Sequence, residues 1–166
     1  MLTQLFRDEL ERETTRTRRA LENVPAGKDD WKPHDKSMAL GRLAGMIATM
    51  PSWVALVINQ DELDLTPPGG GQAQLPAQGQ LVAALDKAAA DAAAALAGTT
   101  DDFLLTTNWR LRAGGHIVSD ERRNVVLRDL INHLAHHRGQ LTVYLRLLGA
   151  PVPAICGPSA DDQHFA

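Results

Sequence analysis

The chain has 166 residues, enough for one domain with a substantial core, and is 44% apolar but only 4% aromatic. Its net charge of −3, with acids and bases interspersed, excludes the basic stripe on which nucleic-acid binding depends. The single cysteine, Cys156, excludes an internal disulfide and fits a reducing compartment, and no apolar run reaches the ~18–20 residues that cross a bilayer.

With so few aromatic residues the core falls to Leu, Val, Ile and Ala, a composition that leans helical. The opening stretch is charged from Arg7 onward, which does not fit a signal peptide, so a soluble cytoplasmic protein is expected. Leu2, Leu5, Phe6, Leu21 and Val24 mark a first helix over about 2–24, stopped at Val24-Pro25-Ala26-Gly27. Its middle, Glu9 to Thr17, is polar nearly all round, so it is either solvated or lines a polar cavity. A loop with two prolines follows, and Ser37 is the expected N-cap of a second helix reaching about Gln60. Leu40, Leu43, Ala44, Ile47, Val54 and Ile58 form its inner face. Pro51 should kink or split it, because proline lacks the N–H that the helix needs there.

Residues 65–80 hold Pro67-Pro68-Gly69-Gly70-Gly71 and Pro76, the signature of a surface loop within a single domain spanning 1–166. Gly79 to Ala97 reads as an alanine-rich helix stopped by Gly98, and Asp101 to Asp120 as an irregular excursion. The last helix, about 121–148, is the longest apolar-periodic segment and ends at Gly149, before Pro151. On it Leu130, Leu134, His137, Leu141, Tyr144 and Leu148 share one stripe. His133 lies on the flank of that stripe one turn before His137, while His136 points away. An i, i+4 spacing stacks two imidazoles so that both nitrogens converge on one point. Since histidine is the commonest metal ligand, the pair is a candidate metal site between helices. No glutamate follows the first histidine, so the run is not a metalloprotease helix. Mid-helix Gly139 costs about 1 kcal/mol against alanine, for which close approach of another backbone is the expected reason. Arg138 and Gln140 are expected to pair with neighbouring helices or the C-terminal segment.

Several stretches resemble one family. Trp31-Lys32-Pro33-His34 and Ser37 to Ala44 are similar to the start of the second helix in the DinB-like (DinB/YfiT-like) superfamily. Asn132-His133-Leu134-Ala135-His136-His137-Arg138-Gly139-Gln140-Leu141 and Tyr144 to Gly149 resemble its last long helix, and Pro151-Val152-Pro153 with Gly157-Pro158-Ser159 its terminal segment. The resemblance implies an all-α fold, an up-down-down-up four-helix bundle, assembled as a homodimer. It also implies a divalent metal, nickel or zinc, held by three histidines. Two of these are matched by His133 and His137. The third falls in the second helix, where this chain reads Leu43-Ala44-Gly45-Met46-Ile47-Ala48 and places Met46 at the ligand position. A thioether is a softer and weaker ligand than imidazole for these metals, so the resemblance implies a degenerate site. Glu9, Glu13, His34 and His116 are the other candidate donors. The implied activity is metal-dependent transfer to a low-molecular-weight thiol, or hydrolysis. The alternative is a non-catalytic bundle that keeps the pocket for a small molecule or a partner chain. Cys156, in a tail positioned to cover the site, lacks the resolving cysteine or activating cluster of a redox role.

Overall fold

The computed structural model describes residues 1–66 and 74–164. The expected loop at 65–80 falls partly on 67–73, outside the described residues. Four helical rods carry the fold: α1 (Leu2–Leu21), a broken rod of α2 (Leu40–Thr49) and α3 (Ser52–Asn59), α4 (Leu81–Ala97) and α6 (Arg123–Leu147). The short α5 (Asp101–Thr106) precedes the last rod. α1 and the α2–α3 rod each pack against both α4 and α6. Pro51 splits the second rod as its missing N–H requires, and the two pieces meet at 50°. Ser37 does not cap it; the helix starts after Ala39 with no side-chain cap. No single helix among the described residues is long and apolar enough to cross a membrane.

The all-α expectation needs correction. Glu62–Asp64 (β1), Asn108–Ala113 (β2) and His116–Arg122 (β3) form a sheet in the order β1-β2-β3, with β1 parallel and β3 antiparallel to β2. The segment read as irregular is therefore a helix followed by a hairpin. Gly114 and Gly115 make its two-residue turn with φ of 58° and 81°, the doubly positive pair that matches strand twist and that only glycine adopts cheaply. The Asp64 carboxylate accepts hydrogen bonds from the Thr66, Gly115 and Gly114 amides, which lower its pKa and tie β1 to the hairpin. Alternation gives the sheet two faces. Leu63, Trp109, Leu111, Ser119 and Glu121 share one, while Glu62, Asp64, Arg110, Arg112 and Asp120 share the other.

Two clusters of buried side chains fill the interior. One joins Leu40, Leu43, Ile47, Leu85, Leu134, Leu141 and Leu145; the other joins Phe6, Val54, Val57, Leu96, Leu104, Trp109 and Leu127. Buried charges fix the rods to one another. Arg123 caps the C-terminal carbonyls of α3, donating to the Val57 and Gln60 oxygens, and also pairs with Asp61 at 2.6 Å and Thr107 Oγ1 at 3.0 Å. Its guanidinium lies 4.6 Å from the Phe103 ring centre. Asp101 acts as an N-cap in trans for α1, accepting from the N-terminal ammonium, the Leu2 and Thr3 amides and the Thr3 hydroxyl. Those donors hold its carboxyl well below the usual range.

Candidate functional site: an imidazole pair beside an apolar pocket

The inward stripe of α6 runs through Leu127, Leu134, Arg138, Leu141, Tyr144 and Leu145, so Leu134, Leu141 and Tyr144 of the expected stripe are buried while His137 is not. Arg138, not His137, occupies its middle. The reason is a partner: Arg138 is 3% exposed and meets the equally buried Glu13 of α1 at 2.5 Å. It also donates to the Thr17 hydroxyl and the Glu13 carbonyl at 3.3 Å. Glu13 takes a second cation, Arg16, at 2.7 Å. Of the two readings for the polar middle of α1, Glu13 and Thr17 belong to the buried polar cavity, which is filled by Arg138.

His137 is thereby displaced to the edge of the core, where it is half-buried, and His133 is exposed. The expectation that both rings enter the buried face is corrected. The predicted convergence holds, with His133 Nε2 and His137 Nε2 2.8 Å apart. His137 Nδ1 lies 2.7 Å from Gln140 Oε1, and Gln140 Nε2 lies 3.1 Å from His136 Nε2. With the amide oriented to satisfy both contacts, one proton arrangement follows. His137 donates through Nδ1–H to Gln140, so its Nε2 accepts from His133 Nε2–H, and Gln140 in turn donates to His136. Gln140 thus orients His137 from the same helix instead of pairing with another element. His136, read as pointing away, joins the relay through the Gln140 amide. Partial desolvation against the neighbouring side chains, and then the nearby His137 and His136, lower the pKa of His133 and favour its neutral form.

Trp53 of α3 lies against His133, ring centres 5.7 Å apart. Beyond it opens a cavity of about 490 Å³ between α3, the sheet and α6. Trp53, Leu56 and Val57 form one wall, and Val126, Leu130 and His133 line it at i, i+4, i+7 on α6. The sheet contributes its apolar face. Trp109, 6% exposed, has no hydrogen-bond partner for Nε1. Sequence reasoning missed this pocket because one of its walls is a sheet whose three strands it did not assign.

Nickel or zinc would need Nε2 atoms about 2.0–2.1 Å from the ion, placing the two nitrogens roughly 2.9–3.4 Å apart for angles between square and tetrahedral. The pair is thus near chelating separation. The donor set is incomplete, however: no group of three His, Cys, Asp or Glu side chains placed to hold a metal occurs among the described residues. Glu13 is engaged by two arginines, and His34 and His116 are exposed on a loop and on β3. Met46 is half-buried on α2 and packs on the same core cluster as Trp53 and Leu134, making no hydrogen bond to either imidazole. Cys156 is exposed and lines a separate groove with Arg138, Gly139 and Thr142. The close backbone approach expected at Gly139 is absent among the described residues, since a Cβ there would meet nothing within 4 Å.

A mainly helical bundle with a small sheet, carrying an H-x-x-x-H pair on its last helix, defines a recognisable class. The DinB family model matches residues 1–164, and the chain belongs to the DinB family. Its fold is similar to that of a DinB-like protein from Bacillus cereus ATCC 10987, at 24% identity and a TM-score of 0.68, with 90% of this chain and 95% of that one covered. The DinB-like protein YjoA of Bacillus subtilis is similar at 20% identity and a TM-score of 0.67, covering 87% and 92%. A protein attributed to the DinB family in Exiguobacterium sibiricum 255-15 follows at 19% identity and 0.62, covering 89% and 92%. No protein of curated function gives a significant match.

Proposed function

We propose that this chain is a ligand-binding member of its family, taking a mainly apolar small molecule into the pocket between α3, the sheet and α6. The observation that carries this reading is the cavity itself: about 490 Å³, walled by aliphatic and indole side chains, with His133 among its few polar lining groups. Pockets of this size and lining hold small molecules, with a few polar groups setting orientation. His133 supplies such a group, and the His137–Gln140–His136 relay fixes its tautomer. The chemistry available to the pair without any metal is hydrogen bonding and proton transfer.

The test is an NMR titration with 3-phenoxypropan-1-ol, read at the indole N–H signals of Trp53 and Trp109. Saturable shifts are expected, and Ser119→Phe, which fills the cavity from the sheet side, should abolish them. Unsaturable shifts, or shifts that survive Ser119→Phe, overturn the reading.

A second reading is favoured by one observation, the 2.8 Å convergence of the two Nε2 atoms. In it His133 and His137 bind nickel or zinc, and the protein performs metal-dependent transfer to a low-molecular-weight thiol, or hydrolysis. Two imidazoles do not fit the three-ligand open site of such enzymes, so this reading requires a third donor from Met46 or from the ligand. Calorimetric titration of tag-free protein with nickel tests it; a His133→Ala/His137→Ala variant that binds nickel as well as the parent overturns it.

A further inference from the structure

We infer that the ligand of the α3–sheet–α6 pocket is a lipophilic cation, an ammonium group carried on an aryl or alkyl body. The inference rests on the ligand-pocket reading above and adds the sign of the charge. Two features of the lining carry the sign, and a third bears on the body of the ligand.

The first is the distribution of ionisable groups. The lining includes two carboxylates, Glu121 and Asp129, and no lysine or arginine. His133, its one basic group, has its Nε2 engaged by His137 Nε2 at 2.8 Å. The cationic neighbours are directed elsewhere. Arg122 donates to the Thr106 carbonyl, and Arg110 pairs with Glu62 and Asp120 on the outer face of the sheet. Arg128 is the exception: it pairs with the lining carboxylate Asp129 at 3.1 Å, which leaves Glu121 as the lining's unpaired charge. The exposed side chain of Glu121 has no hydrogen bond or ion pair among the described residues.

The second is the register of the sheet. Trp109 and Glu121 are cross-strand partners, so the unpaired carboxylate stands directly beside an indole on the pocket face. Trp53 presents a second indole from α3. An indole face next to a carboxylate attracts a cation through the ring quadrupole as well as by charge, and disfavours an anion by the same terms.

The third is Trp109 Nε1, buried with no acceptor. A buried N–H without a partner is uncommon in folded proteins, and a ligand oxygen would satisfy it once a side-chain shift opens the atom, now almost without accessible surface, to the cavity. An ether or carbonyl between the apolar body and the ammonium supplies that oxygen.

The experiment compares three probes of one shape and three charges: 3-phenoxypropylammonium, 3-phenoxypropan-1-ol and 3-phenoxypropanoate. Affinities are read from the Trp109 and Trp53 indole signals at low salt. The ammonium should bind about five- to tenfold more tightly than the alcohol, and the carboxylate more weakly than both. Raising the salt to 0.5 M should shrink the difference. Glu121→Gln should remove most of the ammonium's advantage while leaving the alcohol unchanged, and Asp129→Asn should act in the same direction. If alcohol and ammonium bind equally, or the carboxylate binds best, the charge assignment is overturned while the ligand pocket stands. If none of the three binds, both readings are overturned.

Discussion

Helix α6 carries two polar networks one residue out of phase, and they do opposite things. Arg138 points inward to Glu13 and Thr17, where each group is nearly or wholly inaccessible. His133, His137, Gln140 and His136 run along the adjacent edge, with all but His137 exposed. The inward network holds α1 to α6. The outer one is bonded only within its own helix, so it costs the fold little and stays open to a ligand. Polar residues that a sequence places side by side thus divide into structural and functional sets according to whether another helix answers them.

The sharpest way to break this contrast is to remove Arg138. Arg138→Met leaves Glu13 buried with only Arg16, and a loss of about 3–5 kcal/mol is expected in urea unfolding. Glu13→Leu combined with Arg138→Met should recover much of that loss, because matched apolar groups carry no desolvation penalty. A single Arg138→Met change costing under about 1 kcal/mol would sink the assignment of this pair as the inner clamp. The double replacement His133→Ala/His137→Ala should cost less than about 1 kcal/mol in the same assay, since surface substitutions outside buried networks rarely cost more.

A smaller effect tests whether the outer network is an unfinished metal centre. Met46→His should raise nickel affinity at least about tenfold, about 1.4 kcal/mol, if the side chain at 46 reaches the pair. An unchanged affinity would remove Met46 from the site.

Protonation of His133 separates the networks by pH. Its pKa is lowered in the folded protein, so the unfolded chain takes up the proton first as pH falls. The stabilising contribution is complete above the ordinary histidine pKa of about 6.5 and is lost as pH falls from there through the lower folded value. His133→Gln should flatten the stability slope between about pH 7 and 5. The slope at still lower pH should persist, because Asp64, Asp101, Asp161 and Asp162, all with lowered pKa values, titrate there. An unaltered slope in the upper window would mean that the ring does not titrate as its surroundings require.

The helices were legible because their apolar spacing has no competitor: the stops at Pro25, Pro51, Gly98 and Gly149 fall within a few residues of the observed ends. The exact face of α6 was not, because a buried arginine reads as a solvent residue until its partner, 125 positions away, is known. The sheet was missed for a different reason. Only one face of β1 and β2 is apolar and β3 is polar along most of its length, leaving the Gly114-Gly115 pair as the local hairpin signal. The candidate site followed suit. Its two histidines were visible from their spacing, whereas the pocket beside them depends on strand pairing and the tautomer relay on an amide four residues from His136.

The smallest effect bears on the contrast most directly, because it probes α6 between the two networks. Gly139 follows Arg138 and precedes Gln140, and an added Cβ there meets no atom within 4 Å. With helical φ/ψ and open space, Gly139→Ala should stabilise the protein by about 0.5–1 kcal/mol, chiefly by narrowing the unfolded ensemble. That outcome would show that glycine is retained here against stability, as expected where a ligand or second chain approaches the groove shared with Thr142 and Cys156. A destabilised Gly139→Ala protein of unchanged association state would instead mean that the C-terminal tail closes onto the helix. The face beside the histidines would then be part of the inner, structural set.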